Sequence, residues 1–343
     1  MAALSFAEQI LKNKTPESSE VELHLFEFCN LNCLFCGQDH NSKIGMNVIL
    51  QKIAPVQEFI TNNKKKKHIV NIMGGEVFND LVSEALFEDF FQLAYQVDRH
   101  AKSLGHECIF NWVTNLVFTK TDRVQRLLDR LRGEGVKTNL STSYDLTGRK
   151  NKLWHEDEFL VNLRRFKADI YVVGFVLTKP AVRHLLEKSD PIFDELYAEF
   201  PVYFDYYVPE SRASLLMPSD QELLQAFLFL AKNYPKVSPI RDILENAENK
   251  MTCYSLNKLT LLPDGREVKC RYMEYKTGDF KNTVDYASNE NIITGHLQEN
   301  ECLSCEWFSK CSFRCFVQAD WSARQKTERC FLKSFFEETS KWS

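Results

Sequence analysis

Glycine and proline are scarce in this 343-residue chain, at 12 and 10 residues. That excludes collagen-like and linker-rich architectures and favours packed helices and strands. No stretch reads as a membrane span. The first twenty residues, MAALSFAEQILKNKTPESSE, hold neither a basic leader nor a continuous apolar core, so no signal peptide is expected and the chain reads as cytoplasmic. An excess of positive charge is also missing: at a net charge of −4, no global basic field recruits nucleic acid or an acidic membrane. There is no internal repeat, and no cysteine between Cys108 and Cys253.

What is present is an ordinary globular composition, 44% hydrophobic and 26% charged, long enough for one large α/β domain and a smaller one. The eleven cysteines are informative because a reducing compartment disfavours a disulfide framework, leaving metal binding as the leading explanation. Cys29, Cys33 and Cys36 form one group. Cys108 stands alone in an apolar strand and reads as a small buried residue. The other seven lie between Cys253 and Cys330.

From Val21 to about Pro235, short apolar runs alternate with amphipathic stretches. The runs are VELHLFEF from Val21, HIVNIM from His68, CIFNWV from Cys108, VKTNLSTS from Val136, ADIYVVGFVL from Ala168 and PVYFDYYV from Pro201. Helical spacing marks SEALFEDFFQLAYQVDRHAKSLG and TDRVQRLLDRLRGEG between them. Six strand–helix units predict an α/β fold with a parallel sheet wound by right-handed crossovers. Six are fewer than a closed eight-stranded barrel needs, so a partial barrel or open sheet is expected, with ligands at the carboxyl ends of the strands. The expected organisation is an N-terminal extension over residues 1–20, a barrel domain over 21–237 closed by the helix SDQELLQAFLFLAKNY, and a small cysteine-rich domain over 238–343. In the last, KLTLLPDGREVKC carries a hairpin signal around Asp-Gly. The lysines 64–67 read as a solvated turn before the second strand.

The first cysteine group follows the first strand directly. Its C-x3-C-x2-C spacing lets one tight loop wrap its sulfurs around a compact object. An iron–sulfur cubane usually takes four thiolates; with three, one iron keeps an open position, as a catalytic zinc does. A zinc site completed from elsewhere, for instance by His40, is the alternative.

With Phe35 just before the last cysteine, these residues resemble the C-x3-C-x-φ-C signature of radical S-adenosylmethionine (radical SAM) enzymes. The resemblance implies a [4Fe–4S] cluster on Cys29, Cys33 and Cys36, whose open iron chelates SAM. Reductive cleavage then yields a 5′-deoxyadenosyl radical that takes a hydrogen atom from substrate. Phe35 would lie near the adenine. Gly74, Gly75 and Glu76 are similar to the family's GGE motif: glycines admit backbone close to the ligand, and the carboxylate meets the SAM amino group. Ser143 and Asp145 resemble a Ser-x-Asp stretch whose serine touches SAM. Arg149 would pair with the SAM carboxylate, or it is an ordinary surface arginine. Thr114 and Asn115 resemble a Thr-Asn after the third strand, with a role in shaping that turn.

The later cysteines read C-x11-G-x4-C, gap, C-x2-C-x5-C-x3-C, gap, C, which resembles the SPASM domain of a radical SAM subfamily with two auxiliary clusters. That resemblance implies one cluster on Cys302, Cys305, Cys311 and Cys330. It places Cys253, Cys270 and Cys315 on the other, whose fourth position no cysteine fills. Three [4Fe–4S] clusters and SAM are thus the implied cofactors. Zinc remains the alternative for C-x2-C pairs.

The family implies a reductant such as flavodoxin or ferredoxin and a substrate that is a peptide or protein side chain, undergoing cross-linking, epimerisation or oxidation. The stretch before the first strand has no room for a peptide-recognition domain, so recognition of a peptide would come from a separate recognition protein or from the barrel mouth itself. A sugar, amino-acid conjugate or modified nucleobase is the second reading, and a non-catalytic iron–sulfur electron carrier the third. Asp145, Tyr206 and Tyr207, near strand ends, are candidates for proton transfer.

Overall fold

The computed structural model describes residues 17–38, 49–147, 155–188, 190–208, 215–245, 257–268, 297–298, 300–311 and 330–342. Six parallel strands fall where the apolar runs place them: β1 Ser19–His24, β2 Lys67–Met73, β3 Glu107–Thr114, β4 Lys137–Ser143, β5 Ile170–Leu177 and β6 Val202–Tyr206. Helices α1 Ile53–Asn62, α2 Glu84–Ser103, α3 Thr121–Gly133 and α4 Glu156–Arg165 alternate with them. Between β5 and β6 stand two helices, α5 Lys179–Glu187 and α6 Pro191–Glu199; α7 Asp220–Asn233 and the short α8 Ile240–Leu244 follow β6. The residues ahead of β2 form the expected solvated turn, with Lys67 already in the strand.

Helix starts follow local chemistry. Ser83 caps α2 by accepting from the Leu86 N–H, and Ser219 with Glu222 forms a capping box on α7.

The Asp-Gly hairpin also forms, as β7 Lys258–Leu261 antiparallel to β8 Glu267–Val268. Gly265 supplies the positive φ of +85° that its turn requires. This hairpin lies inside the segment assigned to the C-terminal domain, yet β7 pairs parallel to β1. The sheet is therefore eight-stranded, in the order β6-β5-β4-β3-β2-β1-β7-β8, and open between β6 and β8 among the described residues. The reason is the alternation within β7. Leu259 and Leu261 join the core, while the ammonium of Lys258 meets Glu22 Oε1 on β1 at 2.9 Å. The buried Lys52 also donates to the Leu262 carbonyl, tying the segment before α1 to the hairpin.

The helix-facing side of the sheet is apolar and buried: Val21, Leu23, Val70, Ile72, Phe110, Trp112, Leu140, Phe175 and Leu177. The opposite face carries a polar row. Ser141 donates to Asn111 at 2.6 Å, Asn111 to Asn71 at 2.9 Å, and Asn71 to Glu20 at 2.9 Å. Among the described residues, helices on the apolar face and a polar row on the other are consistent with a partial barrel.

At the far end, Phe331 opens helix α9 Phe331–Thr339. Phe331 and Phe335 meet Phe227 of α7 edge-on, with centroids 5.1 and 5.4 Å apart. Among the described residues no helix is long and apolar enough to cross a membrane.

Candidate functional site

Because β1 to β4 are neighbours and parallel, their carboxyl ends lie side by side. The residues singled out in sequence gather there: Cys29, Cys33 and Cys36 after β1, Gly74–Glu76 after β2, Thr114 and Asn115 at the end of β3, Ser143 closing β4.

The β1–β2 pairing runs past the strands themselves. Leu25 N–H donates to the Met73 carbonyl at 2.8 Å, Gly75 N–H to Phe26 at 2.7 Å, and Glu76 N–H to Phe28 at 2.9 Å. This zipper brings the GGE segment alongside the residue before Cys29. It also explains both glycines. A Cβ on Gly74 would stand 2.6 Å from the Phe26 oxygen, and one on Gly75 only 1.9 Å from the Phe28 oxygen. The backbone these glycines admit is the chain's own approach to the cysteine loop, where the motif resemblance pointed to a ligand.

Glu76 is fully buried. Its Oε1 accepts from Phe78 N–H at 2.9 Å and from the Thr114 hydroxyl at 2.7 Å; its Oε2 accepts from Asn115 N–H at 2.6 Å. These bonds hold the carboxylate in a fixed orientation between the loops after β2 and β3. Asn115 continues the network. Its Oδ1 accepts from Val117 N–H at 2.7 Å, and its Nδ2 donates to Asn30 Oδ1 at 2.9 Å and to Cys29 Sγ at 3.8 Å. Asn30 Nδ2 returns to the Val117 carbonyl at 2.5 Å. Below, the buried Asn162 of α4 donates to the Leu116 and Phe118 carbonyls, both at 2.8 Å. Leu116, at φ +58°, takes the left-handed turn that a glycine would adopt without strain. The shaping role expected of Thr114 and Asn115 is what these bonds describe. Asn30 and Asn162 were not singled out; the only signal for Asn30 is its place inside the cysteine motif.

Cys33 is buried, and Cys29, Phe35 and Cys36 are half-buried against the core. Burial first, and the Glu76 carboxylate second, push the Cys29 thiol up to about 12; Cys33 and Cys36 add to the rise. The three sulfurs therefore share one neighbourhood, and backbone N–H of Leu31 points at Cys29 Sγ from 3.4 Å. Sulfur donors with N–H groups aimed at them suit a thiolate-held cluster and not an oxygen-preferring cation. Among the described residues no three His, Cys, Asp or Glu side chains converge on a point fit for a single ion. A cubane makes a different demand, since it spreads its ligands over separate irons.

The second group behaves likewise. Burial first, then Cys330, Cys311 and Cys305, together raise the Cys302 thiol to about 12, so all four lie within electrostatic reach. Cys302 to Ser304 form a 3-10 turn, and Cys330 sits at the N-cap position of α9. Trp307, between Cys305 and Cys311, stacks on Phe336 of α9 at 5.3 Å. Cys253, Cys270, Cys315, Arg149 and His40 lie outside the described residues. Cys108 is buried in β3 and its thiol is raised to about 12, first by burial.

The proton-transfer candidates are placed as follows. Asp145 is buried and accepts from Thr147 N–H at 3.1 Å. Tyr206 packs among Phe204, Phe227 and Phe331, and Tyr207 is buried.

No family model and no curated protein matches the sequence. Solved structures do match. The chain superimposes on anSMEcpe with bound AdoMet at a TM-score of 0.62 and 16% identity, covering 93% of this chain and 96% of that one. It matches native anSMEcpe with bound AdoMet and the Kp18Cys peptide at 0.63 and 16%, with the same coverage. Streptococcus suis SuiB follows at 0.50 and 12%, covering 94% of this chain and 78% of that one. All are radical SAM enzymes. The chain shares the α/β fold of these structures. At such low identity the likeness establishes the fold alone, and what the fold does in this chain rests on the side chains described above.

Proposed function

We propose that this chain is a radical SAM enzyme with a SPASM-type C-terminal region. The observation that carries the reading is the placing of Cys29, Cys33 and Cys36 on the loop after β1, zipped to Gly74–Glu76 after β2. Cys29, Cys33 and Cys36 would hold a [4Fe–4S] cluster. Cys302, Cys305, Cys311 and Cys330 would hold a second; Cys253, Cys270 and Cys315 are assigned to a third. When loaded, the first cluster with SAM supplies one-electron cleavage of the sulfonium and a 5′-deoxyadenosyl radical able to remove a hydrogen atom from substrate. Glu76 is assigned to the SAM amino group, Ser143 to a contact with SAM, and half-buried Phe35 to the adenine. Arg149 is assigned to the SAM carboxylate. An external donor of the flavodoxin or ferredoxin type would deliver the electron.

The substrate we favour is a peptide or protein side chain. Its support is that a structure of this fold binds a peptide together with AdoMet; a sugar, amino-acid conjugate or modified nucleobase is the second reading. Anaerobically reconstituted protein should contain about twelve irons, at four per cluster. With dithionite and SAM it should release 5′-deoxyadenosine, and the triple alanine variant at Cys29, Cys33 and Cys36 should not. Zinc in place of iron, or cleavage by the triple variant, sinks the assignment.

A further inference from the structure

Sulfur ligands alone do not set how readily a cluster accepts an electron; hydrogen bonds to those sulfurs do so as well. Beside the Leu31 backbone N–H, 3.4 Å from Cys29 Sγ, the structure holds a side-chain donor in a fixed orientation. An asparagine amide can be placed either way round on shape alone, but at Asn115 the bonds decide. Its Oδ1 accepts from Val117 N–H at 2.7 Å, so Nδ2 faces the cysteine loop. Asn30 is fixed by the same logic: its Nδ2 donates to the Val117 carbonyl, leaving Oδ1 to accept one Asn115 N–H at 2.9 Å. The second Asn115 N–H is left for Cys29 Sγ, 3.8 Å away. The backbone beneath is pinned by Glu76 Oε2 at 2.6 Å, and Asn115 is buried, so water does not compete freely for that N–H.

We propose that Asn115 is a tuning residue: its side-chain amide donates to the Cys29 thiolate and stabilises the reduced form of the cluster held by Cys29, Cys33 and Cys36. This rests on the reading of those cysteines as cluster ligands. The step concerned is uptake of one electron from an external low-potential donor by the oxidised cluster, with no bond made or broken in the protein. Negative charge on the sulfurs grows on reduction, and an N–H aimed at sulfur gains from that growth.

The test is a mediator-poised redox titration of the reconstituted full-length protein, followed by electron paramagnetic resonance. The relevant cluster is recognised as the one whose signal changes when SAM is added. Asn115→Ala removes the donor; Asn115→Asp keeps an acceptor for Val117 N–H while removing it. In either variant with wild-type iron content, the one-electron reduction equilibrium should become three- to tenfold less favourable, tenfold being about 59 mV. A change below twofold in both overturns the proposal. So does loss of iron from both, because the side chain would then be a prop for the loop. Wild-type protein without iron, or without a SAM-responsive signal, defeats the reading of the cysteines instead.

Discussion

Glu76 and Asn115 are joined by a 2.6 Å hydrogen bond from the Asn115 backbone N–H to Oε2 of a carboxylate with no exposure to solvent. That bond links the loops after β2 and β3, and it places one negative charge beside the cysteine loop. The two effects separate experimentally. In Glu76→Gln, one oxygen acceptor becomes an N–H₂ group facing protein donors, which should destabilise the apoprotein by about 2–3 kcal/mol, read as a lower urea midpoint. Removing the charge should also let the Cys29 thiol ionise more easily. Its alkylation, followed site by site by mass spectrometry, should therefore start at lower pH than in wild type.

Gly75 has no room for a side chain. Gly75→Ala should cost about 3 kcal/mol, since the clash is with rigid backbone at Phe28 and no flexible side chain can give way. Gly133 is the internal control. It ends helix α3 with open space around it, and Gly133→Ala should stabilise by roughly 0.4–1 kcal/mol. Thermal melts of the two apoproteins check both signs at once.

A pH effect arises at the other end of the barrel. Buried His68 binds Ser19 Oγ through Nδ1 at 2.6 Å and His106 through Nε2 at 3.0 Å. Burial, and then His106, lower its pKa to about 4. The folded state therefore binds fewer protons than the unfolded chain between about pH 6.5 and 4, and stability is lost as pH falls through that window. The loss should approach about 3 kcal/mol, at 1.36 kcal/mol per unit. In His68→Gln this part of the profile should flatten; an unchanged slope in urea melts across pH 4–7 would contradict the assignment.

Lys258 lies 2.9 Å from Glu22 and 3.6 Å from Glu20 on the polar side of the sheet. Lys258→Met leaves two carboxylates poorly solvated and should cost about 2 kcal/mol, between the values for exposed and fully buried pairs. Glu22→Gln should cost less, and the double variant should show coupling when the four urea midpoints are compared.

Legibility from sequence followed the range of the interaction. All six parallel strands were readable, because apolar runs broken by turn residues are local signals. The Asp-Gly turn of the hairpin was readable for the same reason. That β7 would lie beside β1 was not, because nothing in KLTL names its partner. The cysteine groups stood out through spacing alone. The work of Gly74, Gly75 and Glu76 inside the protein did not, because the atoms they meet, in Phe26, Phe28, Thr114 and Asn115, come from other segments. Asn30 and Asn162 were invisible for that reason too: a single asparagine between apolar neighbours has no pattern.

The pairing of β7 with β1 has a consequence for how the molecule is made. β1, which presents the first cysteine loop, has neighbours on both sides only after a strand whose Lys258 lies 236 residues beyond Glu22 has docked. Until then its outer edge offers unpaired N–H and C=O groups, the template on which strands of other chains add. Such distant pairing forms late, because a long loop must close before any contact rewards it. Aggregation during refolding should therefore track the time β1 spends as an edge, and a peptide copying KLTL and its flanks should compete for that edge in the nascent barrel.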